Sequence, residues 1–269
     1  MLVWVVALHC EAKPVIDHYG LKKSASHHAF DIYQKDNMHC IISGIGKAAV
    51  AAATAWIAGL NRHQGSIAWI NLGTAGSSAH NLGTILSIFK ISDSESDRNF
   101  YPVPIFDSAL EPAHCLTLSQ PSTDYHLDQI YDMEASAFFD AATRFSSAEL
   151  VHCLKIISDT PAQKIGQDKA RISELIGQHI VELASFAQSL EALNDQVARL
   201  EINQSDWEKI LGCAHFTRTQ QSRVSKSLRF LFSQQRQTGA LIAEVTKLQS
   251  AELVIAHLEN LCHQQTQTL

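Results

Sequence analysis

The chain has 269 residues, 46% of them hydrophobic and 18% charged, with a formal net charge of −6 at pH 7. That composition excludes a disordered chain, and no apolar run approaches the ~20 residues a membrane-spanning helix requires. The charge is uneven: residues 1–163 hold ten Lys and Arg against sixteen Asp and Glu, whereas residues 164–269 hold eleven of each.

The opening segment MLVWVVALHC has no basic leading region and no small-residue cleavage site. It reads as a buried strand and not a signal peptide, which implies a cytoplasmic protein. The runs LVWVVAL, HCIIS, SIAWINLG, GTILSIFKIS and LVHCLKIIS are short, apolar and rich in β-branched residues, so they read as strands. GKAAVAAATAWIAGL and EASAFFDAATRF read as helices between them. Strands buried on both faces and alternating with helices predict an α/β fold, a three-layer sandwich with a mostly parallel central sheet. In such sheets ligands bind at the carboxyl ends of the strands.

Six scattered cysteines (Cys10, Cys40, Cys115, Cys153, Cys213, Cys262) form no C-x-x-C pair and read as reduced, mostly buried thiols. Among fourteen histidines only His27 and His28 are adjacent, and no H-E-x-x-H pattern occurs, so neither a metal nor a cofactor is expected.

Four short motifs carry candidate chemistry. In SGIGKAAVAA, Gly44, Gly46 and Ala49 fit a loose G-x-G-x-x-A pattern, but no acid follows at the ~20-residue offset that would hold a ribose. A tight strand-to-helix turn accounts for the glycines equally well. NLGTAGS, residues 71–77, forms a bent strand end able to present N–H groups and the Thr74 hydroxyl. In YDMEASAFF, Asp132 is a good helix cap, and Glu134 reads either as a partner of the helix dipole or as a functional acid. In CLKIISDTP, Ser158 and Asp159 close a hydrophobic strand, where an acid is well placed to act as a general acid.

The order ALHCEAKPV, SGIGKAAVAAATA, INLGTAGS, YDMEASAFF and LKIISD resembles the nucleoside phosphorylase/uridine phosphorylase superfamily. Within it the chain is most similar to methylthioadenosine/adenosylhomocysteine nucleosidases. The resemblance implies that Glu134 grips the ribose hydroxyls while Met133 packs beneath the sugar. It implies that Asp159, beside Ser158, serves N7 of a purine leaving group, and that Glu11 orients or deprotonates the attacking water. Thr74 and the segment from Gly73 to Ser77 would line the sugar pocket. The implied activity is hydrolysis of the N-glycosidic bond of a purine nucleoside such as a 5′-modified adenosine, by a homodimer without cofactor. Purine phosphorylases of the superfamily place an Arg where this chain has Asn71, which favours water over phosphate as nucleophile. The phosphorylase and a non-catalytic nucleoside-binding module with a helical partner-binding tail stay open as alternatives. The chain departs from the resemblance in two places. Only about two dozen residues separate NFYPVPIF from YDMEASAFF, and Thr160-Pro161 follows the SD pair.

The resemblance spans residues 1–190. Ile172, Leu175, Ile176, Ile180, Leu183, Ala187 and Leu190 predict a last helix on the sheet. Residues 191–269 read as an α-helical extension containing LEALNDQVARLEI, WEKILGC, SRVSKSLRFLF and AELVIAHLENL. Residues 210–243 hold Arg218, Arg223, Lys226, Arg229 and Arg236 without an acid, interleaved with Phe216, Phe230 and Phe232. The balanced charge of the whole region argues against nucleic acid. The partner that the resemblance implies is a small-molecule nucleoside, and no membrane is expected.

Overall fold

The computed structural model describes every residue except 27–28, 62–64, 123, 126–128, 167, 201, 235–237 and 267–269. The His27-His28 pair and Arg236 thus lie outside the described residues. The chain divides into two compact units, Met1–Asn194 and Asp195–Leu269.

The first unit is built on a ten-stranded sheet. Its centre is β4 (Met38–Ile42), β1 (Leu2–Val6), β5 (Ala68–Gly76) and β10 (Val151–Asp159), paired parallel in that order. These strands are apolar on both faces because both are covered. Val3 and Val5 join one core cluster with Val50, Ala53 and Ile57 of α2 (Lys47–Leu60) and Phe138 of α3 (Ala135–Ala142). The alternate residues Leu2, Trp4 and Val6 are equally buried and point to the other face. There α1 (His9–Tyr19) packs with α4 (Lys169–Gly177).

The sheet is mixed, not mostly parallel, and connection length explains why. β3 (Asp31–Lys35) turns into β4 through Asp36 and Asn37 alone, with Asp36 at φ 51, and so short a link admits only an antiparallel pair. β2 (Lys22–Lys23) extends that edge, also antiparallel. β6 (Ile85–Asp93) follows β5 without a crossover helix and runs antiparallel to β10. β8 (Glu111–Thr117) and β9 (Ile130–Asp132) continue from β6 in parallel, and a single antiparallel pairing of Tyr131 with Gly76 returns the path to β5. The short β7 (Asn99–Phe100) pairs with β6. Five strands, β5, β10, β6, β8 and β9, therefore close into a ring beside the open sheet, and Gly76, Tyr131 and Asp159 lie at one end of it.

The predicted last helix is two. α4 stops at Gly177, a poor helix former, and α5 (Ile180–Ala198) begins after His179, whose ring nitrogen meets the Gly83 carbonyl at 2.6 Å. α5 is continuous through LEALNDQVA, which is therefore not a separate helix, and its Asn194 accepts a hydrogen bond from Ser66 Oγ at 2.7 Å. That bond ties α5 to the first unit as far as Asn194.

The second unit contains α6 (Gln204–Cys213), α7 (Arg218–Ser233), α8 (Thr238–Val245) and α9 (Ala251–Thr266). They share a core of their own that includes Ile210, Leu228, Leu231, Val254 and Leu258. Asn203 caps α6 by accepting from Asp206 N–H, and Thr217 with Gln220 forms a capping box on α7. Among the described residues no helix is long and apolar enough to cross a membrane.

Candidate active site

The carboxyl ends of the parallel strands bring the motif residues together. Asp132 ends β9 and caps α3: its Oδ2 accepts Ala135 N–H at 2.8 Å and Glu134 N–H at 3.3 Å. Glu134, at the helix start, makes no local capping bond. Its carboxylate crosses instead to the turn between β4 and α2, where Oε1 accepts Gly46 N–H at 2.7 Å. Gly46 has φ 96, a conformation that side chains other than hydrogen rarely adopt, so the SGIG turn needs glycine to aim this amide. The capping role thus belongs to Asp132.

Glu11, in the first turn of α1, is buried and held on three sides. Oε2 accepts Leu8 N–H at 3.0 Å, and Oε1 accepts both Thr74 N–H and the Thr74 hydroxyl at 2.9 Å. A carboxylate has about four acceptor positions, so one remains for a water or ligand. Asp159 is half-buried at the end of β10. Between Ile157 and Asp159 the pairing with β5 shifts register, placing two residues of β10 against one of β5. Such a bulge re-aims side chains. Ser158 Oγ donates to Asp159 Oδ2 at 2.7 Å, and Gly166 N–H to its Oδ1 at 3.4 Å.

Beneath these acids lies Lys155, fully buried in the middle of β10. Its Nζ stands 2.8 Å from Asp132 Oδ2 and donates to Asn71 Oδ1 at 2.8 Å. Strand register sets Lys155 opposite Gly73. A Cβ on Gly73 would stand 3.4 Å from Nζ and 3.5 Å from Glu11 Oε1, so glycine keeps the space between cation and carboxylate open. Gly73 therefore underlies the cleft without lining it.

Glu11, Thr74, Met133, Glu134, Ser158 and Asp159 all line one cleft of about 190 Å³. Two aromatic rings join them, Tyr131 of β9 and Tyr125, with centroids 5.3 Å apart. Tyr125 lies directly on the backbone of Gly76, where an added Cβ would come within 2.5 Å of its ring. Among the described lining residues there is no lysine or arginine.

The clustered charges reshape each other. Burial pushes the Glu134 carboxyl up to about 7; Lys155 and the Gly46 amide oppose the rise, while the neighbouring carboxylates of Asp132 and Glu11 add to it. Burial likewise raises Glu11, against the two Thr74 hydrogen bonds and the Lys155 charge. For Asp132 burial would also raise the value, but the Lys155 ammonium in contact with it and the Thr117 and Ala135 hydrogen bonds hold it below the usual carboxylate range. Lys155 stays protonated despite burial because Asp132 and Glu134 stand next to it. The site is a buried charge network with one cation at its base.

Lys155, Tyr125, Tyr131 and the Gly46 amide were not predicted as parts of this arrangement. One signal existed for the lysine: an isolated cation inside the apolar run VHCLKIIS must find a buried partner. Nothing local marks Tyr125, because its position depends on contact with a strand almost fifty residues away.

No protein-family model matches the chain, and a search of curated proteins by sequence finds no match. Solved structures do match. The apo 5′-methylthioadenosine nucleosidase of Arabidopsis thaliana aligns with a TM-score of 0.54 at 15% identity, covering 70% of this chain and 95% of that one. The 5′-methylthioadenosine/S-adenosylhomocysteine nucleosidase of Neisseria meningitidis, in complex with methylthio-immucillin-A, aligns at 0.53 and 17%, covering 70% and 97%. The Helicobacter pylori enzyme with butyl-thio-DADMe-Immucillin-A aligns at 0.55 and 14%, again covering 70% and 97%. At these identities the likeness establishes a shared fold: the chain carries the α/β fold of the methylthioadenosine/adenosylhomocysteine nucleosidases.

Proposed function

We propose that the chain is a purine nucleoside N-ribosyl hydrolase acting on a nucleoside such as a 5′-modified adenosine. The observation that carries this reading is the convergence of Glu11, Glu134 and Asp159 from three distant segments on one cleft. With Oε1 engaged by Gly46, Glu134 keeps Oε2 for the ribose hydroxyls, and its ionised form stabilises a ring that becomes cationic as the glycosidic bond stretches. Glu11, its carboxyl raised by burial, takes the proton of the attacking water at its remaining acceptor position. Asp159, steadied by Ser158, serves N7 of the departing purine, and Tyr125 and Tyr131 offer the base a face to stack on. The division of labour parallels glycoside hydrolysis, with one acid at the leaving group and another at water. Met133 packs against the sugar.

Water is favoured over phosphate as nucleophile by the cleft's lining. The described walls offer no cation to an incoming anion, Asn71 is turned inward to Val5 and Lys155, and Lys155 is held by Asp132. A panel of nucleosides incubated with and without phosphate tests this. Free base and free sugar should appear at a rate indifferent to phosphate; strict dependence on phosphate, with a sugar 1-phosphate as product, would sink the hydrolase reading.

A further inference from the structure

The Glu134 carboxylate reaches Gly46 across a gap between two helix starts, and one buried acid spans that gap. Gly46 is the N-cap residue of α2 and Glu134 that of α3, and the two helices pack against each other. Asp93, the last residue of β6, is bonded to both. Its Oδ1 accepts Glu95 N–H, Ser96 N–H and the Ser96 hydroxyl, each at 3.0 Å, which folds the turn after β6. Its Oδ2 accepts Lys47 Nζ of α2 at 3.0 Å and Ser136 Oγ of α3 at 2.6 Å. Lys47 follows Gly46 directly, and Ser136 stands two residues past Glu134. A single carboxylate oxygen is thus joined to both sides of the Glu134–Gly46 contact.

Lys47 is unfavourable for α2 taken alone, because a cation in the first turn opposes the helix dipole and no acid there offsets it. Asp93 supplies the missing charge from outside the helix. Burial would raise the Asp93 carboxyl, but the hydrogen bonds from Ser136, Lys47 and the Glu95 and Ser96 amides hold it well below the usual carboxylate range. The tie continues under α3: Ser136 N–H donates to Thr117 Oγ1 at 3.0 Å, and that hydroxyl donates to Asp132 Oδ1 at 2.8 Å. Lys47, Asp93 and Ser136 are not among the residues that line the cleft, so any part they take in it runs through Glu134. The Glu134 carboxylate has one hydrogen bond among the described residues, that from Gly46, and a single bond aims it only while the amide stays in reach.

We propose that Lys47 and Ser136 are positioning residues for Glu134: joined through Asp93, they fix the spacing of the two helix starts, hold Oε1 on the Gly46 amide and so keep Oε2 aimed at the ribose hydroxyls. The inference rests on the nucleoside reading of the cleft. Cutting either arm lets the helix starts part, and the carboxylate turns from the sugar while the rest of the cleft stays built.

The test is kcat/KM of the full chain for adenosine and 2′-deoxyadenosine, read as released adenine. Lys47→Met and Ser136→Ala each cut one arm and leave the turn after β6 with its Oδ1 bonds. Each should lower kcat/KM for adenosine by about 10-fold and for 2′-deoxyadenosine by much less, so that discrimination at the 2′ hydroxyl shrinks. In a Glu134→Gln background the same changes should cost less than about 2-fold, because the group they position is already gone. Arg98→Met, which removes the Asp140 ion pair further along α3, should keep the wild-type discrimination. No loss, an equal loss on the two nucleosides, a loss that multiplies with that of Glu134→Gln, the same loss in Arg98→Met, or a wild type indifferent to the 2′ hydroxyl overturns this inference and leaves the hydrolase reading standing. A wild type that releases adenine from neither nucleoside overturns both.

Discussion

At the scale of single residues, Glu134 combines a burial cost with a proposed use for its charge. Its folded value of about 7 lies above the ordinary 4.5, so the folded state favours the protonated acid. That stability is fully present below pH 4.5 and is lost as pH rises through about 7. Wild-type stability should therefore fall across this window relative to Glu134→Gln, by on the order of 2–3 kcal/mol, in chemical denaturation at a series of pH values. Parallel curves for the two proteins would mean that the carboxylate is solvated as well as an exposed one. The same titration sets the activity profile. If the ionised form holds the ribose, kcat/KM should rise with pH through about 7 in the wild type, and the Gln variant should lose that limb. Burial, and with it the pH dependence, was not legible in YDMEASAFF. That stretch shows an acid at a helix start, and only the fold shows that Asp132 already does the capping while Glu134 faces Gly46.

At the scale of elements, the pairing of β5 with β10 organises the site. It sets Lys155 opposite Gly73 and leads Asp159 out of the sheet beside Gly76. Replacing Lys155 by Met would leave Asp132 buried without its cation and should cost about 3–5 kcal/mol. Adding Asp132→Asn should recover most of that loss, because it removes the stranded charge; additive effects in a double-mutant cycle would show that the pair is not coupled. Gly76→Ala should displace the Tyr125 ring and weaken nucleoside affinity while the melting temperature changes little. Unchanged affinity would remove Tyr125 from the base subsite. The strands were readable because β1, β5 and β10 are apolar on both faces, and apolar content is a sequence property. Their direction was not, since it depends on the two-residue link before β4 and the helix-free connection into β6. Glu11, Thr74, Glu134 and Asp159 could be singled out because the order of the motifs carries them. Lys155 and Tyr125 act through partners far away in the chain, which no local pattern records.

At the scale of the whole molecule, the first unit carries the cleft and the second is a small helical body with its own core. The basic stretch of α7 is partly neutralised: Arg223 makes a bidentate ion pair with Glu259 of α9. The full chain should accordingly show no salt-sensitive binding to DNA or RNA, and charge reversal at Arg223 and Arg229 should change nothing in such a titration. Binding that weakens steeply with salt and disappears on reversal would make α7 a docking face. The central claim, that the cleft holds a ribose through Glu134 on the way to hydrolysis, is tested most directly by kcat/KM for a ribonucleoside and its 2′-deoxy counterpart, measured in the wild type and in Glu134→Gln. The expected result is a wild type that disfavours the deoxynucleoside by about 10-fold or more, and a variant that loses roughly 10²-fold on the ribonucleoside together with most of that discrimination. A wild type indifferent to the 2′ hydroxyl, or a Gln variant with wild-type turnover, would contradict it.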